Sequence, residues 1–529
     1  MKFMLMICSA LLLIGCGMAH QKLQFLGTTE VSENSADLSP AYGDCIINTL
    51  SSNPITLNPL TATEDEAQWV IGLMFNGLLK KDRNEEWTGD LAERWEQTAE
   101  GKILTIHLKS GVKWHDGIGF DASDVMFTYQ KIMDQSSESF NQIKTVEILD
   151  PLTIRITYDT PLVSALSQWS FWILPRHLLE QENMDSPRWN RAPIGTGPFR
   201  FSEWIPDERI ILTGNDSYFD GRPFLSQYIF LIQPDESMKF LALKKGEIDV
   251  LCLNGDQITK QAGEERFRNR FNIYQFPVNS FCSIAYNLAL SKYQDKRVRQ
   301  ALTMAIDREQ IIREIEYGYG QVHSGPFSRT CWAYDESANP LPHDPARARA
   351  LLLESGWQET QEIIFSYTAN ATVKLIAALV QKGWNDIGLK VRAECLAWPV
   401  LWEKLQKRDF EAGFFSWSGF GDPDDYSLIW ESGNIPDKTG SNGFNFSSYK
   451  NPEVDRLFEL GRITIDPAKR KEIYQRIHKL INDDQPYTFI ESYEAIWAVD
   501  KRFHGIEPTR RGIFYNIEKW YVPAELQKY

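Results

Sequence analysis

The sequence predicts an α/β protein of two or three lobes, and three observations carry that expectation. At 529 residues the chain is longer than one hydrophobic core usually covers. Its hydrophobic content of 43%, with 17 Trp, 20 Tyr and 29 Phe, argues against disorder and supplies enough aromatic surface to line a large cavity. Strand and helix patterns also alternate. Ile363–Tyr367 reads as a strand, Val373–Ile387 as a helix and Leu389–Ala393 as a strand, the order expected of an α/β sheet.

The first residues set the compartment. Lys2 precedes an apolar run from Phe3 to Ile14, which ends on Gly15-Cys16-Gly17. The run is too short to span a bilayer stably. A cationic start, an apolar stretch and Leu13-Ile14-Gly15-Cys16 fit a bacterial lipoprotein signal over residues 1–15, with Cys16 as the lipidated mature N-terminus. Residues 16–40, polar and rich in Ser and Thr, read as a flexible tether. A net charge of −15 without a Lys/Arg cluster removes nucleic acid as a partner. Once Cys8 and Cys16 are set aside, five cysteines remain, so at least one is unpaired. No Cys/His spacing suggests a metal site, and no cofactor is expected.

Along the chain, Cys45–Leu50 reads as a strand, followed by a loop bearing Pro54 and Pro59 and a helix from about Glu66 to Leu79. Leu104–Leu108 has a period of two. His115 and Asp116 sit in a turn, and a helix starts at Asp121. The run Pro193-Ile194-Gly195-Thr196-Gly197-Pro198-Phe199 is a tight turn into a strand. No Lys-Ser/Thr and no helix follow it, which excludes a phosphate loop. Ser283–Asn287 reads as a strand, and Asp295 caps a charged helix. Residues 344–357 form a helix with Pro at its first position and Gly at its end.

The window from Trp398 to Tyr426 stands out. Trp398 and Trp417 lie nineteen positions apart, and a Gly-broken loop then leads to Asp422, Asp424 and Asp425. Aromatic walls beside a turn whose glycines admit close approach suit a ligand cleft, and the window follows a sheet strand, where α/β folds place ligands.

Further motifs, GVKWHDGIGFDASDV, APIGTGPF, YFDGRPF, LKKGEIDV, DKRVRQALTMAIDR, DIGLKV and SWSGFGDPDDY, occur in order from about residue 44 to 515. The chain thereby resembles the peptide/nickel-type solute-binding proteins of ABC importers. That resemblance implies a two-lobed periplasmic binding protein with three domains, mixed sheets and hinge closure, and no catalysis. Residues 41–75, 181–279 and 499–529 would form lobe I, residues 76–180 its inserted small domain, and residues 280–498 lobe II. It also implies a monomer, lipid-anchored to a bacterial membrane in the periplasm, that captures oligopeptides and passes them to a permease and its ATPases. Its ligand-binding residues map onto Thr63, Glu64, Trp398, Trp417, Ser418, Gly419, Phe420 and Asp422.

Two departures from the family pattern matter. The aspartate that pairs with a ligand ammonium, two or three residues after the second Trp, is absent, because Ser418, Gly419, Phe420 and Gly421 follow Trp417. The arginine that dipeptide readers carry for the ligand carboxylate is also absent, since the region reads Ser366-Tyr367-Thr368. A bare dipeptide would lose both charge anchors, whereas a longer peptide held through its backbone tolerates their loss. Alternative cargoes within the family's range are glutathione, haem, a metal chelate or an oligosaccharide. A secreted hydrolase using Asp422 and Asp424 is a remote alternative. Cys45 and Cys252, each near a strand of lobe I, are expected to form a disulfide.

Overall fold

The computed structural model describes residues 38–529 except 63, 84–85, 99, 136–141, 182–186, 359–360, 438–442 and 511. The signal sequence, Cys16, nearly all of the tether and Thr63 therefore lie outside the described residues.

Strand β1 (Cys45–Leu50) pairs in parallel with Gln227–Ile232, and the antiparallel strands Arg209–Gly214 and Phe199–Ile205 complete a four-stranded mixed sheet. Helix α1 (Asp65–Met74) packs on it through Val70, Ile71 and Met74, in a core that also takes in Phe503, Trp520 and Val522 from the C-terminal segment. A second four-stranded sheet is wholly antiparallel, in the order Ala92–Gln97, Ile103–Leu108, Thr153–Tyr158, Ile143–Asp150. Its core runs from Leu78 to Ile173 and is separate from the first.

The largest sheet joins the rest. Strand β2 (Phe271–Pro277) and strand β3 (Ser280–Tyr286) both pair with the 14-residue strand β6 (Tyr487–Asp500). Strands β4 (Glu362–Thr368) and β5 (Ala412–Ser418) extend the sheet on the far side of β3. β6 serves several cores. Its Ala495, Trp497 and Val499 pack with α1 and the first sheet, whereas Tyr487, Phe489 and Ile490 pack among the residues that follow Ser280. Between Ile490 and Ala495 the strand passes from the later cores to the first. Both faces of β6 are covered along most of its length; only Tyr493 and Glu494 interrupt the burial, and the crossover itself is the polar run Glu491-Ser492-Tyr493-Glu494.

Several local expectations change. α1 stops at Met74, short of Leu79, because Phe75 turns extended and the Gly197 N–H donates to the Met74 carbonyl at 2.8 Å. The turn holding Gly195 and Gly197 is pressed onto this helix end. A Cβ on Gly195 would lie 1.8 Å from the Met74 carbonyl oxygen, which is why glycine stands there. His115 braces the same turn: its Nδ1 accepts from the Gly195 N–H at 3.2 Å and its Nε2–H donates to the Gly197 carbonyl at 3.0 Å. Burial lowers this imidazole to about 4, so it stays neutral in that role. The expected disulfide is not present. Cys45 and Cys252 are both free, Cys45 buried opposite Gln227 and Cys252 on a strand that pairs with β6 opposite Trp497.

Candidate ligand cleft

α1 begins with three consecutive carboxylates, Glu64, Asp65 and Glu66, where acidic side chains favour a helix start. They form one wall of a pocket of about 540 Å³. The opposite wall comes from the largest sheet and its flanking helices: Ser280 of β3, Thr368 of β4, Ser416 and Ser418 of β5, Tyr493 of β6, and Trp398. Trp398 is the first residue of helix α2 (Trp398–Gln406), directly past a parallel strand ending at Leu396. Its ring is 47% exposed and lies 5.4 Å from the Trp402 ring.

The period of two on β5 assigns its side chains to faces. Ser416 and Ser418 are exposed on the pocket side. Trp417, between them, points the other way and is only 7% exposed. Its ring stacks on Phe446 at 5.7 Å and lies against Phe415, Phe444 and Phe420 in a buried cluster. The expectation of a cleft-facing Trp417 ring therefore does not hold.

β5 has a second property. β4 pairs with it only through Phe365 and Ser366, opposite Ala412 and Gly413. Beyond that point β4 continues beside Lys390–Leu396, as far as Thr368 opposite Leu396. The two strands splay, and among the described residues no strand pairs with that edge of β5 from Phe414 to Ser418. Phe414, Phe415, Ser416 and Ser418 all line the pocket.

The loop after β5 has a different role from the one its carboxylates suggested. Gly419 takes a φ of +88°, a conformation that favours glycine, and turns the chain away from the sheet. Phe420 is half-buried with its ring 4.5 Å from Tyr426. Asp422 accepts two hydrogen bonds from Arg470, at 2.6 and 2.9 Å, and caps the turn Pro423–Tyr426. Asp424 accepts from Arg462 at 3.1 Å and from the Tyr474 hydroxyl at 3.3 Å. These acids are buried in structural ion pairs, so Asp422 does not offer its carboxylate to a ligand, and neither it nor Asp424 is placed as a hydrolase would need.

The structure thus brings Glu64, Trp398 and Ser418 to one pocket and places Trp417 and Asp422 in the protein interior. Asp65, Glu66, Ser280, Thr368, Ser416 and Tyr493 are pocket residues that sequence reasoning missed. Ser416 and Ser418 flanking an apolar Trp417 was the one legible signal, a polar face in period two. Ser280 and Tyr493 come from strands distant in sequence and gave none.

Behind the pocket floor, Cys282 stands opposite both Ser416 and Glu491 in the sheet. Glu491 is 1% exposed, and its Oε2 has no hydrogen-bond partner. Burial, with Glu316 adding to it, pushes this carboxyl from 4.5 up to about 8.

The model of the bacterial extracellular solute-binding proteins, family 5, matches residues 86–437. The chain belongs to that family. Among relatives of this family 5 protein, the oligopeptide-binding protein AppA of Bacillus subtilis is 29% identical over 520 residues, covering 93% of this chain and 94% of the relative. A dipeptide-binding protein of Pseudomonas aeruginosa is 29% identical over 497 residues, covering 86% and 91%. A solved structure of Bacillus subtilis AppA in complex with a nonapeptide matches with a TM-score of 0.81 at 28% identity, covering 92% of this chain and all of that one. The family 5 protein is therefore an α/β solute-binding protein with the two-lobed architecture of its relatives, and its family is one of binding proteins rather than enzymes. No described helix is long and apolar enough to cross a membrane.

Proposed function

We propose that this family 5 protein captures oligopeptides in the pocket between α1 and the β5 edge and delivers them to the permease and ATPases of an ABC importer, without catalysing a reaction. The observation that carries this reading is the open edge of β5. An extended peptide laid along Phe414–Ser418 adds a strand to the sheet, with main-chain hydrogen bonds supplying affinity that does not depend on side-chain identity. Trp398 offers a half-exposed aromatic face beside that edge. The similarity to a protein solved with a nonapeptide supports the same reading. Backbone capture also suits a chain that lacks the aspartate and arginine anchors of dipeptide readers.

Native mass spectrometry of the purified protein tests the proposal. A ladder of peptide masses is expected, and a single discrete non-peptide mass would overturn it. The protein acts as a monomer held at a bacterial membrane through lipid on Cys16. Cys16→Ser is expected to move it from the membrane to the soluble fraction, and retention on the membrane would overturn the anchor.

A further inference from the structure

A second, smaller pocket has a volume of about 250 Å³ and shares Asp65 and Glu66 with the larger one, so these two carboxylates border both. Its walls include Trp69 and Trp497, whose ring centroids lie 6.0 Å apart at 53°. Trp69 is 44% exposed, a large aromatic surface left uncovered by its own fold.

The charges around this pocket are one-sided. Three carboxylates, Asp65, Glu66 and Glu236, line it together with a single ammonium, that of Lys239. Lys239 is buried and already engaged: its Nζ donates to Glu236 at 2.6 Å and to the Ser51 hydroxyl at 2.8 Å. Asp65 and Glu66 take part in no salt bridge among the described residues. The main cleft has no Lys, Arg or His among its lining residues to offset them. Three acids at the start of α1 also occupy the helix end that would otherwise attract a ligand carboxylate.

We infer that this side pocket is a subsite for a lysine or arginine side chain of the bound peptide, whose alkyl stem lies against Trp69 and whose cationic head faces Asp65 and Glu66. This rests on the peptide-binding reading above. Tryptophan faces attract alkylammonium and guanidinium groups, and a cleft of one charge sign enriches ligands of the other.

The test is isothermal titration calorimetry on the full soluble chain with pentaalanine and with pentaalanine variants carrying one lysine, acetyllysine or glutamate at each position in turn. At one or more positions lysine is expected to bind about tenfold more tightly than acetyllysine, with glutamate weakest, and added salt should shrink the difference. In the Asp65→Asn/Glu66→Gln double variant the lysine-to-acetyllysine ratio should fall towards one, and in Trp69→Ala it should fall in part. If pentaalanine binds and lysine gives no advantage at any position, the subsite is wrong while the peptide reading stands. If no peptide of the set binds, the peptide reading fails and the subsite falls with it. An advantage for lysine that survives intact in the double variant overturns the role given to Asp65 and Glu66.

Discussion

Trp398 and Trp417 look alike in the sequence, two aromatic residues in one window, and differ in everything that follows from position. Trp398 opens a helix and leaves almost half its surface in the pocket, whereas Trp417 is held by four phenylalanines in the interior. Trp417→Ala is expected to destabilise the ligand-free protein by about 3–5 kcal/mol, a large-to-small change in a packed core. Trp398→Ala should leave the ligand-free melting temperature nearly unmoved while weakening peptide binding by more than about 1 kcal/mol. Differential scanning calorimetry and binding titrations on the two variants check this, and equal loss of stability would refute the assignment. Asp422 teaches the same lesson for charge. The family resemblance puts it among the ligand-binding residues, but its partner Arg470 lies 48 residues away in sequence, and sequence gives no sight of such a partner.

At the scale of elements, secondary structure was legible wherever local chemistry decides it. Asp295 and Asp344 cap their helices, and Gly356 ends one with a φ of +75°, as their sequence signals predict. α1 ends earlier than its own sequence predicts because a remote turn sets its end. Gly195 and Gly197 meet the Met74 carbonyl at a distance that no side chain tolerates. Gly195→Ala is expected to cost about 1–3 kcal/mol or more by pushing this turn off the helix. Chemical denaturation of the variant measures that cost, and wild-type stability would show that the contact is not needed. The open edge of β5 was hidden for a similar reason. Its existence depends on where β4 leaves the sheet, and the β5 sequence alone records nothing of that.

Across the whole molecule, β6 links several cores and carries Glu491 at the changeover, with a carboxyl that burial and Glu316 raise from 4.5 to about 8. A carboxyl raised on folding holds its proton more tightly in the native state than in the unfolded one. The native state therefore gains its full stability from this group below pH 4.5, and that contribution is lost as pH rises towards about 8. Glu491→Gln should flatten the decline and raise stability at the alkaline end. Urea melts at pH about 5 and about 8 read the difference, and an unchanged pH slope would refute it. The sequence by itself determined the α/β class, the order of most elements and, through many ordered motifs, the family, because capping, periodicity and turn chemistry act over a few residues. Only the tertiary structure shows which tryptophan lines the pocket, which carboxylates are held in buried ion pairs, and where β5 is open, because each depends on contacts between segments far apart in the chain.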